Sequence, residues 1–342
     1  MISTRTAPFI ALALTIAALA ACSDTTEGAG DSPDTGFLVD DIIPQGEPEP
    51  EPDAALPIED ADPDEPDVID TPDVEVEDEE PGVDPACDQD GDGALSVACG
   101  GQDCDDTSNL VTPGREERCD AIDNNCNGVN NEGVDCTFFA HTGEGLYRLD
   151  PFMLTSVRVT DVPNLFDIDT HPDGTLYGIA QDTLYRFEDA RNTWFIVGTF
   201  PELEDGTGLA IDSMGTAWVT AADKIFTINL TTAQARLIGP LGGTFFSSGD
   251  CVINKEDTLF MTSKDFNQPD TLVLVNRSTG RGTAIGSIGF TGVFGLTAGY
   301  GRLFGVNSRG ELLEINRDTG QGTLLHTFPD KRWFGAASSP GR

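Results

Sequence analysis

The strongest constraint on this chain is a repeat of about forty residues that fills its second half. Four segments align on a turn followed by an aromatic strand: D-G-T-L-Y-G (173–178), M-G-T-A-W-V (214–219), E-D-T-L-F-M (256–261) and Y-G-R-L-F-G (300–305). Their aromatic residues Tyr177, Trp218, Phe260 and Phe304 stand 41, 42 and 44 positions apart. A second strand follows each: L-Y-R-F-E (184–188), K-I-F-T-I-N (224–229), L-V-L-V-N (272–276) and L-L-E-I-N (312–316). Polar turns such as N-R-S-T-G and N-R-D-T-G come next, then a third strand such as A-R-L-I-G or G-T-A-I-G. Short strands at this period, joined by Gly-rich turns, predict propeller blades of four strands each. No stretch in this half longer than a turn or two carries the period of an amphipathic helix. A β-sandwich of similar strands is the alternative, and the blade-length period argues against it.

The ends complete the ring. T-F-F-A-H-T (137–142), G-L-Y-R-L-D (145–150) and S-V-R-V-T-D-V (156–162) fit the second, third and fourth strands of one more blade. Its first strand is expected from W-F-G-A-A-S-S (333–339). The fold class is therefore all-β: a five-bladed propeller over 137–342, with one blade closed by both ends and no open sheet edge. The strands I-D-T-H-P-D-G-T-L-Y-G and I-D-S-M-G-T-A-W-V resemble the NHL and lactonase-like propeller families. That resemblance implies the blade and carries no activity.

Chemistry in this half is sparse. His141, His171 and His326 fall at different blade positions, and neither H-E-x-x-H nor G-x-S-x-G occurs. Trp194, Trp218 and Trp333 read as packing residues before they read as a sugar platform. Cys251, in a first strand, reads as a small buried hydrophobe.

Ahead of the repeats, residues 87–136 hold six of the eight cysteines: Cys87, Cys99, Cys104, Cys119, Cys126 and Cys136. In an exported chain this density predicts up to three disulfides. Sequence leaves fifteen pairings open; Cys87–Cys136 is favoured as one, because those two bracket the segment. A zinc site fits poorly, since the segment has no His and no C-x2-C pair. Its acids are patterned. Asp88, Asp90 and Asp92 alternate in D-Q-D-G-D-G, and Gly93 permits the turn that wraps a loop around an ion. This is the first half of an EF-hand-type loop. Its twelfth position is Cys99 where a bidentate Glu is required, so it is not an EF-hand. Further carboxylates follow at Asp103, Asp105 and Asp106. A second run, D-N-N-C-N-G-V (123–129), repeats the spacing with Asp123, Asn125, Asn127 and Gly128, and Glu132 and Asp135 lie just downstream. Asp, Asn and Gly also serve as turn residues between disulfides, but two alternating runs with Gly at the sixth position point to cation loops.

The run D-Q-D-G-D-G, D-C-D-D, P-G-R-E-E-R-C-D and I-D-N-N-C-N-G-V-N-N-E-G resembles the metal-binding motif repeats of bacterial surface proteins, and distantly the thrombospondin type 3 repeats. Asn127 and Asn131 stand where that family usually has Asp, which lowers the charge of the second loop. With cysteines oxidised and no His, Met or Trp in the segment, the donors are carboxylate, amide and carbonyl oxygens. Such a set suits calcium and not copper or zinc. The first loop, richer in charge, is expected to bind more tightly.

The address comes from the N-terminus. Arg5 precedes an apolar run from Ala7 to Ala21 that ends in Leu19-Ala20-Ala21-Cys22. The run fits a signal-peptide core and is short for a membrane span. Small residues before a Cys resemble the bacterial lipobox, implying removal of residues 1–21 and lipidation of Cys22. An ordinary secretory signal or an uncleaved anchor is the alternative. Ser23 after that Cys resembles the outer-membrane sorting pattern. Residues 22–86 form an acidic, Pro-rich linker: 23–86 carry 24 acids and no base. Such a segment cannot bury enough apolar surface to offset its ordering entropy, so it is expected to be a disordered spacer or solvating tail.

The chain as a whole has a formal net charge of −40. That excludes a nucleic-acid binder, which needs a basic face against phosphate, and leaves a lipid anchor as the only expected membrane contact. The sequence thus predicts a cell-surface lipoprotein with a calcium module and a non-enzymatic propeller that binds a protein or carbohydrate. The alternative is an extracellular propeller enzyme, a metal-dependent lactonase or a lyase, which would need acids, Asn or His converging on the central channel.

Overall fold

The computed structural model describes residues 85–338, apart from 202, 204–205 and 265–267. The signal segment with Cys22, the linker through residue 84 and Ser339 lie outside the described residues. Twenty strands, numbered in chain order, form five four-stranded antiparallel sheets. Blade one joins β20 (Gly335–Ala337) to β1 (Phe138–His141), β2 (Gly145–Asp150) and β3 (Thr155–Asp161). Blade two holds β4 (Asp167–Thr170), β5 (Leu176–Ala180), β6 (Thr183–Glu188) and β7 (Thr193–Thr199). Blade three holds β8 (Gly206–Ile211), β9 (Ala217–Ala221), β10 (Lys224–Ile228) and β11 (Ala235–Pro240). Blade four holds β12 (Ser247–Ile253), β13 (Leu259–Ser263), β14 (Thr271–Val275) and β15 (Gly282–Ser287). Blade five holds β16 (Val293–Gly299), β17 (Arg302–Asn307), β18 (Glu311–Ile315) and β19 (Gly322–Thr327). The expected closure is present: Phe139, Ala140 and His141 of β1 pair with Ala337, Ala336 and Gly335 of β20.

Burial runs from the centre outward. The first strands β4, β12 and β20 are buried throughout, whereas the outer strands β3 and β7 alternate between half-buried and exposed. One irregularity recurs in all five blades. The third and fourth strands slip by one residue after Leu146, Leu184, Ile225, Leu272 and Leu312. These five side chains are fully buried. The unpaired extra residue on the outer strand is Val159, Val197, Ile238, Ile285 or Leu325, and each packs against a core cluster. A bulge bends its strand and adds twist; here it also turns an aliphatic side chain inward. The polar turns behind these strands have a shared cause too. Asn229, Asn276 and Asn316 each accept two successive backbone N–H groups ahead of them, so the side chain itself builds the turn.

At the hub the first strands of neighbouring blades run side by side without pairing, so their channel-side N–H groups need other acceptors. Asp167 accepts the N–H of Leu209 at 2.6 Å, and Asp169 that of Ile211 at 2.6 Å. Asp250 accepts the N–H of Leu296. Ser338 accepts the N–H of Ala298 at 3.2 Å, and Ser247 Oγ meets both Thr207 and Thr220. Gly335 closes the remaining joint by close approach: a Cβ there would lie 2.6 Å from both Asp167 Oδ1 and His141 Nε2.

Candidate metal centre

Residues 87–136 hold almost no regular structure, one short 3-10 turn aside, and their buried apolar side chains are those of Val111 and Cys136. Three disulfides take the place of a core: Cys87–Cys99, Cys104–Cys126 and Cys119–Cys136. The pairing Cys87–Cys136 favoured from sequence is therefore incorrect. The reason is local. The D-Q-D-G-D-G turn doubles the chain back, Ser96 N–H bonds to the Cys87 carbonyl at 2.9 Å, and Cys99 is thereby carried to Cys87. Bracketing a segment says nothing about turns inside it.

The first loop gathers its acids. Asp88, Asp90 and Asp92 place carboxylate oxygens within 4.8 Å of one another. Asp92 N–H donates to Asp90 Oδ1 and Ala94 N–H to Asp92 Oδ1, at 3.1 and 2.9 Å, so one oxygen of each holds the loop. The others, Asp90 Oδ2 and Asp92 Oδ2, together with Asp88 Oδ1, are buried without a partner. Gly93 has φ +91°, a left-handed conformation that a side chain would strain. Asp103 lies beside this loop. Its N–H bonds to the Leu95 carbonyl at 3.1 Å and its carbonyl accepts Val97 N–H at 3.1 Å. Asp103 is almost fully buried, and its Oδ2 is also unpartnered. Burial, and then the charges of Asp92, Asp103 and Asp88, raise the Asp90 carboxyl above its ordinary range, against the lowering pull of the Asp92 N–H. The other two acids take different positions. Asp106 accepts Gln89 N–H at 2.9 Å, and Asp105 bonds to Thr107.

The second loop repeats the backbone, with Gly128 also at φ +91°. Asp123 accepts the N–H groups of Asn127 and Gly128, at 3.1 and 2.6 Å. Asn125 and Asn127 both aim their side-chain amides at Glu132 Oε1, the former at 2.6 Å. Glu132 Oε2 is buried and unpartnered. Those amide hydrogen bonds hold the Glu132 carboxyl below its usual range. Three of the expected ligands thus converge on one point, while the amide oxygens of Asn125 and Asn127 accept the backbone N–H groups of Asn127 and Val129.

Residues without an assigned role in the sequence frame this loop. Glu117 accepts Asn125 N–H at 3.0 Å and Asn131 N–H at 2.7 Å; Asn131 in turn accepts Ala121 N–H at 3.1 Å. Asn124 is fully buried and accepts Arg118 N–H at 2.8 Å. The only sequence signal for Glu117 and Asn124 was their place inside R-E-E-R-C-D and D-N-N-C, whereas Asn131 stands where the resembled family usually has Asp. The donor set of both loops is oxygen throughout, since every cysteine in the segment is oxidised and no His is present.

The propeller residues singled out by type lie apart. His141 is buried at the hub, His171 pairs with Asp173 in an outer turn at 2.9 Å, and His326 packs edge-on against Phe328. Trp333 is fully buried between Tyr147 and Phe328, and Trp218 lies beneath Arg277. Cys251 is a free, buried thiol that burial pushes well above its ordinary pKa.

A family model described as "Putative metal-binding motif" (Cu-binding_MopE) matches residues 103–132. No curated protein matches the sequence. Among solved structures, the chain is similar to one in a nidogen/laminin complex, with 14% identity over 59% of this chain and 97% of that one, TM-score 0.44. It is similar to virginiamycin B lyase from Staphylococcus aureus, with 16% identity over 59% and 73%, TM-score 0.37. It is also similar to TolB from Acinetobacter baumannii, with 13% identity over 58% and 55%, TM-score 0.39. The chain thus joins a metal-binding motif stapled by disulfides to a five-bladed β-propeller.

Proposed function

We propose that this chain is an exported, lipid-anchored protein of the cell envelope whose disulfide module binds calcium and whose propeller binds a protein or carbohydrate without catalysing a reaction. The observation that carries the metal is the set of four unpartnered, buried carboxylate oxygens on Asp88, Asp90, Asp92 and Asp103. Buried carboxylates facing one another repel unless a cation lies between them. Oxygen-only donors favour a hard ion, and calcium tolerates the irregular geometry of such loops. The second loop offers Asp123, Glu132 and two amides, hence less charge and a weaker site. Three disulfides support an oxidising compartment. A non-catalytic propeller is supported by the use of its hub acids: Asp167, Asp169 and Asp250 are committed to neighbouring backbone N–H groups.

The test is calorimetric titration of the whole chain with calcium, zinc and copper. Two calcium sites of unequal strength are expected, with Kd values near the 0.1–1 mM typical of extracellular modules, roughly. Asp90→Ala should abolish the tighter one. Absence of heat at millimolar calcium, or an unchanged isotherm in Asp90→Ala, sinks the metal assignment. Lactone hydrolysis lost in Asp167→Asn would overturn the non-catalytic reading.

A further inference from the structure

The hub contains two fully buried carboxyl groups with no basic side chain beside them. Asp167 on β4 and Asp250 on β12 are fully buried and belong to blades two and four, which are not neighbours in the ring. Their strands approach within 8 Å, Cα to Cα, across the hub, and Gly208, next to the Leu209 that bonds to Asp167, lies against the Asp250 backbone, where a Cβ would stand 2.9 Å from its carbonyl carbon. Asp167 accepts the N–H groups of Ile168 and Leu209, and Asp250 that of Leu296. Asp250 Oδ1 is left buried with no partner.

Nothing around the pair supplies a positive charge. The other titratable groups facing it are Asp169 on β4, Cys251 on β12 and His141 on β1. The strands β8, β16 and β20 contain no titratable side chain. His141 is neutral, because burial depresses it to about 4. Its Nδ1 lies 3.0 Å from the Thr142 carbonyl and must carry the ring proton to bond there. Its Nε2 has no hydrogen-bond partner and is turned toward Gly335 beside Asp167. Two carboxyls are buried in one hub among acceptors, where like charges would repel strongly.

We propose that Asp167 and Asp250 share a single proton, which acts as a strut across the hub and makes closure of the propeller ring depend on pH. One carboxyl carries the proton and donates it to the other, which gives Asp250 Oδ1 its partner. Through Leu209 and Leu296 the same pair holds blades three and five. Four of the five blades thus meet at one proton, taken from solvent on folding and returned on unfolding.

The sign of the pH dependence follows. Burial raises both carboxyls well above their ordinary range. The fold keeps a proton that the unfolded chain releases near pH 4, so the stabilisation is lost as pH rises through the folded value. His141 acts the other way: its neutral form contributes fully above pH 6.5, and the contribution is lost as pH falls toward about 4. Asp270, raised to about 6 by burial, is already ionised above neutrality. Cys251 is raised well above 9.0 and weighs in only at higher pH. Above neutrality, and below the ionisation of an unfolded cysteine at about pH 8.5, a fall in stability is expected from the acid pair.

The experiment is thermal unfolding of the whole chain across that window, in saturating calcium, for the wild type and Asp250→Asn. The Asn variant keeps a carbonyl oxygen for Leu296 N–H and offers an amide donor to Asp167, replacing the proton permanently. The wild-type Tm is expected to fall by about 3–5 °C per pH unit, the slope of one proton, and that of Asp250→Asn to stay flat. Equal slopes overturn the proposal. A second measurement needs no variant: infrared spectra of the chain labelled with carbon-13 aspartate. A protonated-carboxyl band at pH 7 that disappears with rising pH is expected. A spectrum at pH 7 with every aspartate ionised, as a bound metal ion would leave them, overturns the shared proton.

Discussion

The module and the propeller hold themselves together by different physics. In the module the loops carry exposed apolar side chains, Val97, Ile122 and Val129 among them, and its buried apolar side chains are Val111 and Cys136. Stability there must come from cross-links, side-chain-to-backbone bonds and cations. The propeller has no disulfide among its described residues and leaves Cys251 free. It rests on five apolar clusters built from repeated strands. A segment of about 50 residues cannot bury enough surface to fold on hydrophobicity, whereas about 200 can. The two regions meet at Thr137, where Tyr300 hydroxyl donates to the Thr137 carbonyl at 3.2 Å and Arg148 reaches Asp135 at 3.1 Å.

Breaking the ring should have the largest effect. Deleting residues 332–342 removes β20 and Trp333, exposes the edge of β1 and opens the first joint. Loss of the cooperative propeller transition is expected by circular dichroism; an unchanged Tm would count against closure by both ends. Trp333→Ala alone should cost about 3–5 kcal/mol. Full reduction comes next. Each bridge closes a loop of 12, 22 or 17 residues and is worth about 2–4 kcal/mol. The module should become protease-sensitive while the propeller transition stays in place; a propeller that melts with it would show the two to be one cooperative unit.

Removing the proposed calcium is expected to act on the module alone. At calcium 100-fold above Kd, binding to the folded state adds about 2.7 kcal/mol. Chelation, or Asp90→Ala, should therefore lower the module's transition and spare the propeller's, as separate calorimetric peaks would record. Smaller still is Arg277→Met. It removes a partner from Asp212, 2.9 Å away and nearly buried, to which the Trp218 ring N–H also donates at 3.3 Å. A loss of about 1–3 kcal/mol is expected in the propeller's transition only. Arg148→Ala should change least, by about 0–1 kcal/mol, because both it and Asp135 are largely exposed to solvent. A larger shift, in both transitions, would mean that the two regions are coupled through that contact.

The limits of legibility lie in recognisable places. Tyr177, Trp218, Phe260 and Phe304 mark the blades because the same strand must bury the same face in every repeat, and periodicity survives in one dimension. The complementary ends were readable for the same reason: a blade lacking a strand leaves a gap of known length. The bulges after Leu146 and its counterparts were not, since an extra residue on an outer strand changes no residue type. In the module, alternate Asp and Asn with Gly93 and Gly128 announced the loops, because ligand spacing within a loop is local. That Asp103 lies beside the first loop required knowing that 95–97 bonds to 103, and Glu117 required knowing where the chain returns.

By itself the sequence determined the blade count, the acid-rich loops and their oxygen-only donor set, all properties of residue type and local spacing. Tertiary structure alone decided what depends on meeting across distance. It paired Cys87 with Cys99 and not with Cys136. It committed Asp105 to Thr107 and Asp106 to the backbone of Gln89. It also brought Asp167 and Asp250, 83 positions apart, into the same buried hub. Hydrophobic period and turn chemistry act between neighbours in the chain. Disulfide partners, ligand shells and buried charge pairs are set by where the folded backbone returns, and a linear pattern carries no record of that.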